Sequence, residues 1–235
     1  MTRKIIIALL VVFVAVGAYF YIDAIVRNKI KDSVAKRLQD KIGPAQSYKV
    51  EITGGLIDFI RGNLAELDVK GNKVELRTGV TLDTLQISMQ GIKFNTRKAA
   101  ISSIDKTTFE GLLSQDELNK YVSQAHPDMS ELNIILQDGY FTMTARPLMI
   151  RSNTLVNAQG NLAIIDGSKV VLQFSRVETT EKSASKSWCE YFESTVNPVF
   201  NTEDISFHPK LTSVTIIPGT IKLVGHFDSL DTRAF

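Results

Sequence analysis

The stretch Thr81–Asn95, TLDTLQISMQGIKFN, predicts the longest strand of the fold. Apolar residues alternate at Leu85, Ile87 and Met89, which is the pattern of a half-buried strand. Gly91 then shifts the phase so that the alternation continues at Ile92, as it does at a β-bulge. Fifteen extended residues span about 50 Å, whereas an ordinary strand has about five or six residues.

Shorter alternating runs surround this strand. Runs of this kind meet at Asp138-Gly139, at Asp166-Gly167 and at Pro218-Gly219, and a turn dipeptide between two alternating runs predicts a hairpin. Upstream, Gly71-Asn72 predicts a further turn between the runs 64–69 and 73–77. Because short turns join antiparallel neighbours, the sequence predicts an antiparallel sheet.

A helix is predicted before the first strand. From Ile22 to Ile42 an apolar residue recurs at every fourth position, with charged and amide side chains between. Such a row slips slowly around a helix of 3.6 residues per turn, which suits packing along a twisted surface. Gly43-Pro44 predicts the end of this helix.

Two shorter helices complete the prediction. Ser114-Gln-Asp-Glu117 has the pattern of a capping box, and the helical spacing that follows ends before Pro127. The other helix is predicted from Trp188 to about Val196. Long strands with a few helices indicate an α+β domain.

The N-terminus contains an apolar run, Ile5–Ile22, without a charged residue. Eighteen helical residues measure about 27 Å, close to the ~30 Å hydrocarbon core of a bilayer. Ala15-Val16-Gly17 resembles a cleavage site, but the run continues into an aromatic end, which favours an uncleaved signal anchor over a removed signal peptide. We expect residues 1–22 to be this leader and residues 23–235 to form a single domain.

The charge of the chain points away from nucleic acid as a partner. The sequence has 27 Lys and Arg against 25 Asp and Glu, and Arg3 and Lys4 account for the whole excess. A domain with balanced charge lacks the cationic surplus that displaces counterions from phosphates. Six basic residues follow the leader before position 42, so a count by the positive-inside rule places the domain in the cytoplasm. However, the short N-terminal tail before the apolar run and the long domain after it also allow export of the domain. The residues leave the topology open.

Residues suited to catalysis are few. His126, His208 and His226 have no second ligand at metal-binding spacing, so we predict no metal, no cofactor and no enzymatic activity. Cys189, the single cysteine, lies in an aromatic helical stretch where a packing role is expected. A hydrolase that uses Cys189 with a spatially adjacent histidine stays as an alternative.

A resemblance to a known family rests on the stretch Ile52–Leu76, ITGGLIDFIRGNLAELDVKGNKVEL, which is a short apolar loop, Arg-Gly and alternating strands. The long strand, the helix that begins with SQDELN, the LQDG hairpin and Asn197-Pro-Val199 before the last hairpin follow in the same order. Over about residues 24–228 the chain resembles the LmeA-like family of bacterial envelope phospholipid-binding proteins.

This resemblance implies a fold similar to the tubular lipid-binding domains, in which a strongly twisted antiparallel sheet wraps around a long N-terminal helix. It implies a domain outside the cytoplasmic membrane, either anchored there or secreted if the leader is cleaved. Phospholipid is the implied partner, with its acyl chains in an apolar groove. Lipid transport is a further function that the resemblance implies. The competing hypothesis is a non-enzymatic, surface-tethered structural or interaction module with a closed core.

Residues on the apolar faces are the candidates for this site. Flexible methionine and flat aromatic side chains suit an adaptable lipid channel, although they fill ordinary cores equally well. The predicted lipid-binding residues are Val26, Ile30 and Val34 on the helix and Ile87, Met89, Phe94, Phe141 and Met143 on strands. The predicted membrane-contact residues are Leu56, Ile57, Phe59 and Ile60 of the loop beside Arg61.

Overall fold

The structure is a computed structural model of the 235-residue chain. It describes residues 25, 28, 31–32, 34–36, 38–55, 57–58, 61–95, 100–147, 155–179, 185–205 and 208–227. The predicted leader Ile5–Ile22 lies outside these residues. Within the described ranges, no helix combines the length and the apolar character needed to cross a membrane.

Twelve strands, three α-helices and a short 3-10 helix at Thr202–Asp204 make up the described fold. We name the helical positions between residues 25 and 41 α1, Gln115–Ala125 α2 and Ser185–Val196 α3. The strands are β1 Ala45–Thr53, β2 Asn63–Glu75, β3 Thr81–Asn95, β4 Ala100–Ser103, β5 Lys106–Ser114, β6 Met129–Leu136, β7 Phe141–Pro147, β8 Val156–Ile165, β9 Lys169–Thr179, β10 Phe200–Asn201, β11 Lys210–Ile217 and β12 Thr220–His226.

These strands form two antiparallel sheets. The first sheet has the order β1-β2-β3-β5-β12-β11, with β4 added beside β3, and the second has the order β10-β9-β8-β7-β6. The α+β class and the antiparallel pairing are confirmed, but the division into two sheets was not predicted. It arises because α2 carries the chain away from the first sheet after β5, and β6 to β10 then pair only among themselves.

The long strand is confirmed with the predicted bounds, Thr81–Asn95. Gly91 adopts a φ of 65°, which glycine tolerates, and the buried face changes phase there from Met89 to Ile92. The register with β2 does not change at this point, since Leu64 still pairs with Ile92. Gly91 therefore turns the side chains without inserting a residue against β2.

The predicted turn at Gly71-Asn72 is wrong, because β2 runs without interruption from Asn63 to Glu75. Gly71 lies opposite Tyr48 of β1, and a Cβ at Gly71 would approach Tyr48 Cε1 to 2.9 Å and Val74 Cγ2 to 2.5 Å. The glycine therefore makes room for a tyrosine ring inside the sheet. The loop that connects β2 to β3 lies beyond residue 75.

β2 and β3 together carry one apolar row towards the core. On each strand two of the four intervals between buried positions are two residues long, and the other two are three residues long. These longer intervals lie opposite each other in β2 and β3, so the buried row continues to face the core while the two strands twist. The five buried pairs are Leu64–Ile92, Leu67–Met89, Val69–Ile87, Gly71–Leu85 and Val74–Leu82.

The helices cover the buried faces. At the end of α1, Leu38 and Ile42 are buried, and the helix ends before Gly43-Pro44 as predicted. Helix α2 begins after Ser114 as predicted, but the Ser114 hydroxyl makes no capping hydrogen bond. Instead, the Ser114 N–H donates to Asp83 Oδ2 at 2.7 Å, so a strand carboxylate lies at the start of this helix.

The hairpins predicted at 138–139, 166–167 and 218–219 are all present, and so is the helix that ends at Val196. Asp-Gly and Pro-Gly supply the left-handed backbone that tight turns need, so these hairpins could be located from local sequence.

Candidate functional site

Part of the predicted lining lies on the first sheet. Ile87 and Met89 of β3 are at most 3% exposed and point into the core. Ile87 pairs with Val69 on one side and with Phe109 on the other. Both residues therefore lie inside the apolar row of β2 and β3.

The other part lies on the second sheet, under α3. The Phe141 ring on β7 contacts Phe174 of β9 edge-on at a centroid distance of 5.4 Å, and Phe174 contacts Phe192 of α3 at 5.7 Å. Phe141 also pairs with Gly160 of β8, where a Cβ would come within 2.9 Å of its ring. Met143, two residues further along β7, is buried on the same face.

One continuous apolar cluster contains both parts of the predicted lining. Leu38 and Ile42 of α1 and Leu118 and Val122 of α2 belong to it, and Val34 of α1 packs against it half-buried. The structure thus brings Val34, Ile87, Met89, Phe141 and Met143 into a single core. Val26, Ile30 and the side chain of Phe94 lie outside the described residues, and a role of these side chains in holding acyl chains stays a prediction.

The predicted membrane-contact loop connects β1 to β2. Ile57 lies in a short helical turn with its side chain exposed, and the Arg61 N–H donates to the Ile57 carbonyl at 3.0 Å. Asp58 Oδ2 accepts from the Gly55 N–H at 3.2 Å, which closes the start of the turn. Leu56, Phe59 and Ile60 lie outside the described residues.

A charged cluster joins α2 to the first sheet. Lys73 Nζ lies 2.5 Å from Asp83 Oδ1 and 3.0 Å from Glu117 Oε1 of α2. Partial burial by itself would raise the pKa of Asp83, but hydrogen bonds from Lys73 and Ser114 and the lysine charge outweigh it and hold that pKa below its ordinary value. The hydrogen bonds to Asp83 and Glu117 raise the pKa of Lys73.

Sequence reasoning missed two asparagines that close the edges of the second sheet. Asn119 of α2 donates to the Ile134 carbonyl at 2.8 Å and accepts from the Ile134 N–H at 2.6 Å. Asn197, directly after α3, makes the same pair of bonds to Leu172 of β9, at 2.8 and 2.7 Å. Each side-chain amide thus binds a backbone N–H and carbonyl with which another strand could otherwise pair.

The two amide pairings repeat one spacing. Gln115 and Glu193 lie four residues before the two asparagines. Each side chain accepts from the N–H of the strand residue that lies two positions after the residue bound by the asparagine, at 2.9 and 3.3 Å. Four helical residues rise about 6 Å and two strand residues about 6.6 Å, so the two spacings match. The sequence signal for these bonds was a pair of amide or acidic residues four positions apart on the buried side of a helix.

Cys189 lies half-buried on α3. Desolvation, together with the carboxylates of Glu193 and Glu190, raises the pKa of its thiol. A raised pKa lowers the thiolate fraction, and the thiolate is the nucleophile. Among the described residues, no three His, Cys, Asp or Glu side chains are grouped so that they could hold a metal ion.

Comparison with known proteins identifies the family. Residues 18–226 match the model of the LmeA-like phospholipid-binding family. The chain belongs to this family. Neither the curated proteins nor the solved structures contain a significant match.

Membership in the LmeA-like family confirms the resemblance seen in the sequence and supports phospholipid as the ligand. The matched range spans α1, both sheets and the loop with Ile57, so it includes every predicted lining and loop residue. The family therefore corresponds to the whole two-sheet domain and not to one of its sheets.

Proposed function

We propose that this protein is a membrane-anchored phospholipid-binding protein of the bacterial cell envelope. In this proposal α1 is part of a long N-terminal helix, and the first sheet curls around it. The protein holds acyl chains in an apolar groove between this helix and the sheet, and it transfers lipid between membranes. The leader at residues 5–22 anchors it, and its domain lies on the extracytoplasmic side. The family match is the observation that carries this proposal.

The apolar row of β2 and β3 has the length that such a groove needs. From the pair Leu64–Ile92 to the pair Val74–Leu82 it covers ten residue steps, or about 33 Å. One leaflet of a bilayer has a hydrocarbon thickness of about 15 Å, so the row is longer than an acyl chain within its leaflet. Moving acyl chains into water costs about 0.8 kcal/mol per methylene, which a continuous apolar surface avoids.

Lipid loading tests the proposal directly. The full chain, purified in mild detergent, should carry phospholipid in native mass spectrometry and should take up labelled phospholipid from vesicles. A chain that is purified without bound phospholipid and takes up none from vesicles would contradict the proposal.

A pair of methionine variants tests the lining. Met89→Trp adds bulk inside the predicted groove and should lower phospholipid loading severalfold while the chain still folds. Met129→Trp makes the same change at another buried position, at the start of β6 and outside the predicted lining, and should leave loading unchanged. Equal loading in both variants would remove Met89 from the lining.

The second candidate function is a tethered structural or interaction module with a closed core. It is favoured by the nearly complete burial of Ile87, Met89, Phe141 and Met143, whose side chains already fill a packed cluster. The loading experiment separates the two candidates, because a closed core has no room for acyl chains.

Catalysis by Cys189 is disfavoured by the raised pKa of its thiol. We expect Cys189→Ala to retain phospholipid loading and transfer in full. Loss of transfer by a folded Cys189→Ala chain would restore the hydrolase hypothesis.

A further inference from the structure

The first sheet has two distinct ends, defined by the ends of β3. The Thr81 end and the Asn95 end are about 45 Å apart along the strand. Asn63 pairs with Lys93, so the loop between β1 and β2 lies at the Asn95 end. The Gln115 N–H donates to the Gly219 carbonyl at 2.9 Å, and Gln115 follows the Ser114 N–H that binds Asp83, so the turn between β11 and β12 lies at the Thr81 end.

Helix α1 lies along the first sheet and ends at the Thr81 end. Its last residues lie at the Thr81 end, where Arg77 Nη2 donates to the Asp40 carbonyl at 3.1 Å. Lys31 lies further from that end, near Glu51 of β1, which is aligned through Asp68 with Ser88 at the middle of β3. The hydrogen bond and charge of Lys49 lower the pKa of Glu51, and the charge of Lys31 adds to this effect. The first positions of α1 are therefore those nearest the Asn95 end.

Apolar and basic side chains lie together at the Asn95 end. Ile57 is 52% exposed, the highest value among the large apolar residues that the structure describes as exposed. The exposed residues Arg61, Lys93 and Lys106, which we call the basic rim, accompany it. The nearby acidic residues are Asp58, which accepts from the Gly55 N–H, Asp105, and Glu66, which pairs with Gln90 opposite Lys106.

The Thr81 end has a different surface. Tyr140 and Ile217 are exposed there, on two turns joined by the 3.2 Å hydrogen bond from the Gly139 N–H to the Ile216 carbonyl. The charged residue of these turns is the exposed Asp138, which an anionic surface repels. The exposed apolar groups of these turns are thus accompanied by a negative charge, whereas Ile57 is accompanied by the basic rim.

We propose that the domain stands end-on upon an anionic bilayer, with Ile57 in the interface and the basic rim against lipid phosphates and anionic headgroups. In the sequence, the apolar leader precedes α1, whose last residues lie at the opposite end. Cations beside an exposed apolar loop match the charge of an anionic leaflet, and each adds to its attraction. This inference rests on the proposed membrane attachment and adds an orientation and a headgroup charge to it.

Brominated lipids, which quench nearby tryptophan, test the orientation. In a Trp188→Phe background, which leaves no other tryptophan, Ile57→Trp and Tyr140→Trp place the probe at opposite ends of the sheet. The full chains are reconstituted in brominated phosphatidylcholine vesicles with and without phosphatidylglycerol, and far-UV circular dichroism verifies their folding. We expect quenching at position 57, stronger with phosphatidylglycerol, and none at position 140. Quenching at position 140 alone, or equally at both positions, would overturn the proposal.

Charge variants test the basic rim. Arg61→Gln, Lys93→Gln and Lys106→Gln combined should remove the phosphatidylglycerol-dependent part of the quenching at position 57. The matched control replaces Lys36, Lys70 and Lys169 by Gln, which changes the net charge equally, and should keep it. A rim variant that is quenched like the control would refute the role of the rim. Native mass spectrometry of the same chains reports lipid loading separately, so failure of the groove and failure of the orientation are distinguishable.

Discussion

Gly71 shows how one residue decides the course of a strand. In the sequence, Gly71-Asn72 has the composition of a turn, and local propensity favours a turn there. In the fold, the ring of Tyr48 occupies the space that a side chain at position 71 would need. Tyr48, which is 23 residues away in sequence, thus gives the glycine a packing role that the local pattern does not contain.

The same contact gives a prediction about stability. Gly71→Ala places a methyl group 2.5 Å from Val74 Cγ2, so the ring or the strand must shift, at a cost of about 1 to 3 kcal/mol in the free energy of unfolding. Gly111→Ala in β5 is the control, because its methyl group would be 3.4 Å from the nearest side-chain atoms and should cost less than about 1 kcal/mol. Urea unfolding of both variants checks the difference.

At the scale of elements, α2 joins the two sheets. Glu117 pairs with Lys73 of the first sheet, and Asn119 and Gln115 bind the edge strand of the second. The capping pattern and the helical spacing predicted that α2 exists. They did not predict the partner of Asn119, because an exposed strand edge exists only once the second sheet has formed.

Removing one asparagine should weaken the second sheet. Asn119→Ala leaves the N–H and carbonyl of the buried Ile134 without these partners, and we expect a loss of about 1 to 3 kcal/mol with increased aggregation through the opened edge. Asn72→Ala removes an exposed bond to Ser47 Oγ and should change stability by less than about 0.5 kcal/mol. Thermal unfolding and light scattering measure both effects, and equal stabilities would disprove the role of Asn119.

Asp83 should make part of the stability depend on pH. Its pKa is lowered in the folded chain, so its contribution is present above the unfolded value of about 3.9 and is lost as the pH falls through the folded value. Asp83→Asn should therefore unfold at lower urea concentration than the wild type at pH 7. The difference should shrink below about pH 4. A difference that is constant with pH would show that the carboxylate charge does not matter.

At the scale of the whole molecule, the leader and the domain act as separate units in the proposed function. In this proposal the leader, whose eighteen apolar residues would measure about 27 Å as a helix, supplies attachment, and the domain supplies the ligand site through its buried faces. Since Arg3 and Lys4 account for the net charge, the overall charge of the domain does not attract it to a membrane, and in the proposed orientation local groups such as the basic rim supply the attraction.

The leader prediction can be tested on the full chain. We expect it to remain in the membrane fraction after alkaline washing and to retain its N-terminal residues in mass spectrometry. A chain without residues 1–22 should be found in the soluble fraction with its phospholipid loading intact. A mature protein that begins near residue 18 would instead identify the leader as a cleaved signal peptide and the domain as secreted.

The sequence by itself determined the long strand Thr81–Asn95, the hairpins at 138–139, 166–167 and 218–219, the α+β class and the family, because alternation, turn dipeptides and helical spacing act between neighbours along the chain. The apolar row of β3 was predictable for the same reason. Only the tertiary structure decided that the strands form two sheets, that β2 passes through Gly71 and that Asn119 and Asn197 close two edges. Those features depend on groups that are distant in sequence and meet only after folding, and no local periodicity records such meetings.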